Sequence, residues 1–93
     1  MKILHILSAA PARTDVLTAL QRMLGRADAI LLTGDGVYLP VQQPATFNVP
    51  LFALERDVRA RGLSAQWPAD VPLIDHPEYV DLCVRYEKSM NWS

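Results

Sequence analysis

Three places in the 93-residue sequence hold residue types and spacings that could do chemistry. The first is Gly34-Asp35-Gly36, within "LLTGDGVY" (31–38), where two glycines end an apolar run as they do at the start of a phosphate cradle. A dinucleotide fingerprint needs a third glycine three residues on, and position 39 is Leu; a P-loop needs a lysine after its last glycine, and none follows. Asp35 would also put a negative charge in the middle of the cradle, which Coulomb repulsion opposes. The stretch therefore reads as a turn in which Gly34 or Gly36 takes a positive φ.

The second is Cys83, the only thiol. At helical spacing it falls with Tyr79, Val80 and Val84 on one apolar face, and burial there would raise its pKa above about 8.5. It is expected to be a buried, inert core residue. A single cysteine also excludes an internal disulfide and a cysteine-based zinc site. The third is His5 with Ser8. A histidine inside an apolar run reads first as a packed, hydrogen-bonded residue and second as a base. The Ser8–His5 pair lacks an acid partner unless the first two strands are neighbours, which would let Asp35 approach. His76 precedes a helix-opening proline and is placed near a helix cap. Arg56, Arg59 and Arg61 alternate with Glu55 and Asp57 and read as a solvated helix face. Trp67 and Trp92 lie outside the regular segments and read equally as interface anchors or as caps on the core.

The elements that must position these groups follow from periodicity. Residues 2–7 form a β-favouring run ended by Ser-Ala-Ala-Pro. Thr14 or Asp15 can cap a helix whose stripe is Val16, Leu17, Leu20, Met23 and Leu24, with Gly25 as its left-handed stop. A second buried strand spans 29–33. Residues 37–41 read as a short helical turn ended by Pro40, and "QQPATFNVP" as a polar connection. A third strand at 50–54 leads into a helix over 55–61 that stops at Gly62. "SAQWPADVP" is loop, a fourth strand spans 71–75, and Pro77 opens a last helix whose apolar face is Tyr79, Val80, Cys83, Val84 and Tyr86. The tail "SMNWS" packs somewhere on the domain. Strands alternating with helices give an α/β three-layer sandwich with a mostly parallel sheet of four or five strands, in one domain spanning 1–93. In such sheets the loops at the strands' carboxyl ends gather functional groups; here they begin at Ser8, Gly34, Glu55 and His76.

Composition narrows the function classes. Nine basic and ten acidic residues give a net charge of −1, no field for concentrating nucleic acid. Direct binding of tRNA or DNA is not expected. The amino-terminal apolar run is shorter than the roughly 7 to 15 residues of a signal h-region, and nothing approaches the ~20 residues of a membrane span. The cytoplasm is the expected compartment, with no membrane partner. Hydrophobic residues make up 51% of a chain too small to bury them all, so part of that surface is expected to meet another subunit.

Four segments, "ILHILSAAP", "AILLTGDGVY", "LFALERDVRARGL" and "IDHPEYVDLCVRYEKSMNW", together resemble the TusB/DsrH family of sulfur-relay subunits, in order and over nearly the whole chain. The resemblance implies a DsrE/F/H-like fold and a place beside two paralogous subunits, resembling TusC and TusD, in a hexamer with two copies of each. Such a complex takes persulfide sulfur from small carrier proteins and passes it toward 2-thiouridine at the tRNA wobble position, or serves sulfur oxidation in its Dsr version. The relay cysteine is then expected in a partner chain, so this chain is expected to be an accessory subunit with no catalytic residue, cofactor or metal. Some DsrH proteins carry a first-helix cysteine; this chain has "VLTALQRML" there, with Ala19 at or beside that position. Candidates for a loop face or subunit interface are His5, Asp35, Gly36, Tyr38 and Trp92. The other readings are sulfur carriage by Cys83 itself and a small anion- or nucleotide-binding module built on Gly34 and Gly36.

Overall fold

The computed structural model describes residues 1–43 and 47–93; residues 44–46, inside the polar connection read from the sequence, lie outside the described residues. In chain order come β1 (Ile3–Leu7), α1 (Thr14–Met23), β2 (Ala29–Leu32), a 3₁₀ turn (Gly34–Tyr38), α2 (Leu39–Gln42), β3 (Leu51–Leu54), α3 (Glu55–Ala60), a 3₁₀ turn (Ser64–Gln66), β4 (Leu73–Ile74), α4 (His76–Arg85) and β5 (Lys88–Trp92). The strands form one five-stranded sheet in the order β4-β3-β2-β1-β5. Every pairing is parallel.

That order decides where the helices go. From β1 to β4 each crossover steps to the next strand in one direction, so right-handed connections lay α1, α2 and α3 on the same face. The return from β4 to β5 runs the other way and puts α4 on the opposite face. Side-chain parity agrees. Leu7, Ile30, Leu32, Leu51 and Ala53 point toward Val16, Leu20, Leu39 and Val58. Leu4, Ala29, Leu31, Leu54 and Ile74 point the other way, with Leu82 of α4 over them. Among the described residues, one ten-residue helix covers that second face, and Ile6 and Phe52 there are only partly buried.

Several expectations are corrected. The tail is the fifth strand: residues 88–92 pair with β1 from Ile3↔Lys88 to Leu7↔Trp92. Thr14 and Asp15 are the first helical residues rather than caps; Arg13 is the N-cap, makes no side-chain cap bond, and pairs with Asp15 at 3.2 Å instead. Gly25 is not left-handed, because α1 leaves its last turn through an extended Leu24. Pro40 opens α2 instead of ending a turn, as suits a residue with no amide hydrogen. β4 is limited to two residues, with Val71 buried before it.

The last helix is rotated from its expected face. Tyr79, Leu82, Cys83 and Tyr86, spaced i, i+3, i+4, i+7, face the sheet, while Val80 and Val84 face water. Its start is as the sequence suggested. Asp75 accepts from the Glu78 amide at 2.9 Å, Glu78 accepts from the Asp75 amide at 3.0 Å, and Pro77 sits in the first turn. Gly62, with φ of +67°, ends the third helix as expected.

Candidate functional site

The Gly34-Asp35-Gly36 turn leaves β2 at the sheet's carboxyl edge, where one backbone angle and two close approaches to β1 build it. Gly34 has φ of +50°, the conformation that a side chain strains. Gly36 is buried against β1, and a Cβ added there would collide with the Leu7 carbonyl oxygen. The Thr33 amide donates to that same oxygen at 3.0 Å. The two glycines thus serve different needs, one of backbone angle and one of space.

The anion position of this turn is already filled. Asp57 of α3 accepts a hydrogen bond from the Gly34 amide at 2.9 Å, and Arg61 donates to Asp35 at 3.1 Å and to the Asp57 carbonyl at 3.2 Å. Asp57 occupies the place a phosphate oxygen would take, and Arg61 neutralises the two carboxylates that flank it. The turn is a clasp to α3. Arg61 therefore belongs to this clasp and not to a solvated face, whereas Arg59 remains exposed and pairs with Glu55 at 3.0 Å.

On the same sheet face, residues from both ends of the chain form a buried polar line. His5 is fully buried; its Nε2 lies 2.8 Å from Asp28 Oδ2, and its Nδ1 accepts from Trp92 Nε1 at 3.1 Å. Since Nδ1 accepts, the hydrogen belongs on Nε2, donated to Asp28. Asp28 also accepts from the Ile3 and Gly25 amides at 3.0 and 2.8 Å. Burial pushes its carboxyl up, but the bonds from His5, Gly25 and Ile3 together hold it below the ordinary carboxylate range. With every buried polar side-chain atom among the described residues satisfied, this line locks three segments together and presents no open base.

Trp92 is also fixed through its backbone, whose carbonyl accepts from the Ser8 amide at 2.9 Å and the Ser8 hydroxyl at 3.3 Å. Trp67 turns inward, its Nε1 donating to the Val71 carbonyl at 2.8 Å. Both tryptophans are half-buried and pack against the first core cluster, so each caps the core.

Cys83 lies across the sheet from all of this. It is half-buried on α4 rather than buried, packed beside Tyr79 over the second cluster. Burial, and then the neighbouring Cys83, push the Tyr79 phenol up. Where β3 and β4 end, their connections depart to opposite faces and leave a cleft of about 300 Å³ lined by Leu54, Glu55, Arg56, Arg59, Ile74, Asp75 and His76. Glu55 pairs there with Arg59 and Asp75 is spent as the cap of α4, and no group of three potential metal ligands occurs among the described residues.

The predicted site residues therefore divide. Asp35, Gly36 and Tyr38 share one turn, His5 and Trp92 are joined in the interior beside it, and Cys83 stands apart. β1 and β2 are indeed neighbours, yet His5's acid partner is Asp28 while Asp35 turns to Arg61. Asp28 and Asp57 were missed. The signal for Asp28 was its place directly before an all-apolar buried strand; Asp57 had none, hidden in an ordinary alternation of charges.

A family model described as "DsrH like protein" matches residues 9–89. The chain is 38% identical to Protein TusB of Escherichia coli K12 and 35% identical to Protein TusB of Yersinia pestis, in each case across 97% of this chain and all of the relative. Among solved structures it resembles the NMR structure of protein Tm0979 from Thermotoga maritima, with a TM-score of 0.68 and 25% identity over 88% of this chain and 91% of that one. The crystal structure of ychN protein from E. coli shares the fold at a TM-score of 0.65 and 19% identity, over 99% of each chain.

Proposed function

This chain belongs to the DsrH-like protein family, and from that membership we propose that it is a non-catalytic subunit of a sulfur-relay complex. In this reading it assembles with two paralogous chains resembling TusC and TusD, in a hexamer with two copies of each. The complex passes persulfide sulfur from carrier proteins toward 2-thiouridine at the tRNA wobble position. The observation that carries the reading is similarity to TusB proteins over the full length of both chains.

The geometry supports an accessory role. Persulfide transfer needs a thiolate that a partner's sulfur can reach in line, in surroundings that favour the anion. Cys83 instead sits half-buried beside a phenol and an apolar sheet face. His5 and Asp28 resemble an activating pair in composition but are sealed inside and spend their bonds on each other, on Trp92 and on backbone amides. The relay thiol is then a partner's.

Co-expression with the two paralogues followed by size-exclusion chromatography tests the reading. The three chains are expected to elute together at the mass of a hexamer. A chain that elutes alone, in cells whose tRNA thiolation does not depend on it, would sink the proposal.

A further inference from the structure

Val84 leaves 77% of its surface in water and Val80 48%, although they lie one turn apart on a helix whose sheet-facing side is already complete. Exposed β-branched residues slightly weaken a helix and gain nothing from its core. Neither helix formation nor packing within the chain accounts for this ridge. Along one side of it run Asp81 and Arg85, an exposed i,i+4 ion pair at 3.2 Å. At 100° per residue, both charges fall on the same flank of the two valines.

The order of these groups is self-complementary. If a second copy of α4 lies antiparallel across the ridge, Val80 meets the second copy's Val84, and Asp81 and Arg85 on the shared flank each meet the opposite charge of the other copy. A parallel copy facing the same ridge is turned half a revolution about the helix axis, so its Asp81 and Arg85 fall on the opposite flank and meet no partner. Only the antiparallel arrangement, with a two-fold axis perpendicular to the helices, satisfies both rows in one isologous contact.

We propose that α4 is a docking surface for a second copy of this chain, joined antiparallel through Val80 and Val84, with Asp81 and Arg85 exchanging ion-pair partners across a two-fold axis. A ten-residue helix spans only about 15 Å, so the contact is well below the roughly 1,600 Å² of a standard interface. Self-association of the isolated chain is accordingly weak, with Kd on the order of 10⁻⁴ to 10⁻³ M. It gains strength once an assembly holds two copies close together. The contact needs no paralogue, so its failure and that of the sulfur-relay reading are separate results.

Translational diffusion and amide shifts of the full chain, followed by NMR from micromolar to low-millimolar concentration, test it. Slower diffusion is expected on concentration, with shifts confined to α4's outward face. Asp81→Lys and Arg85→Glu should each weaken association roughly tenfold, because reversing one charge turns two symmetric attractions into repulsions. The double variant should restore it, since the swapped charges complement each other again; native amide spectra of the single variants exclude misfolding. A chain that stays monomeric throughout, or a dimer indifferent to these changes, overturns the proposal. So does a double variant no better than the singles, which would give the ridge to a different chain.

Discussion

A carboxylate as deeply buried as Asp28 remains ionised only because His5 and two backbone amides point at it. Its pKa is lowered on folding, so its contribution is fully present above the ordinary Asp value near 3.9 and is lost as pH falls through the lower folded value. Urea midpoints should therefore hold between about pH 5 and 7 and drop below about pH 4. Asp28→Asn should flatten that acid drop and cost about 2–4 kcal/mol at neutral pH, because the amide cannot accept from all three donors. The two turn glycines give a second test at this scale. Gly36→Ala drives a methyl into the Leu7 carbonyl and should cost about 3 kcal/mol or more, whereas Gly34→Ala faces a left-handed backbone penalty of about 1–2 kcal/mol. Equal losses in urea denaturation would contradict this division of labour.

Among the described elements, α4 depends most on its own ends, since it is the one described helix over its side of the sheet. Asp75→Ala removes the cap on its first turn and should cost about 1 kcal/mol, with faster amide exchange at Glu78 and Tyr79. Unchanged protection there would mean that packing, not the cap, holds the helix start. The elements were largely legible in the sequence, because apolar periodicity and turn residues are local signals: β1 to β3, α1, α3 and the start of α4 all fall close to their expected positions. What failed depended on partners elsewhere. "KSMNW" alternates at only two apolar positions, Met90 and Trp92, too short a pattern to mark a strand by itself, and becomes one through pairing with β1. Val80 and Val84 read as core by type, but α4's lie on the sheet selects Leu82 instead. The site was legible only in part. Glycines in a turn are visible, yet the carboxylate that fills it comes from Asp57, more than twenty residues away.

At the scale of the whole molecule, one sheet carries two unlike faces. The face under α1, α2 and α3 is sealed by the buried line from Asp28 to Trp92 and by the clasp to α3. The other has, among the described residues, a single helix, partly open Ile6 and Phe52, and an exposed valine ridge. No described helix is long and apolar enough to cross a membrane. The resemblance to TusB/DsrH subunits, legible in four sequence segments, is matched by the family model and by full-length relatives. Such a molecule is proposed to act by what it assembles, with its one thiol dispensable. The most direct test is the 2-thiouridine content of tRNA, measured by mass spectrometry in cells lacking this chain and complemented with its Cys83→Ser variant. Deletion should remove most 2-thiouridine and the variant should restore it to the level given by the unaltered chain. A variant that leaves tRNA unthiolated despite joining the complex, or a deletion with no effect, would contradict the account.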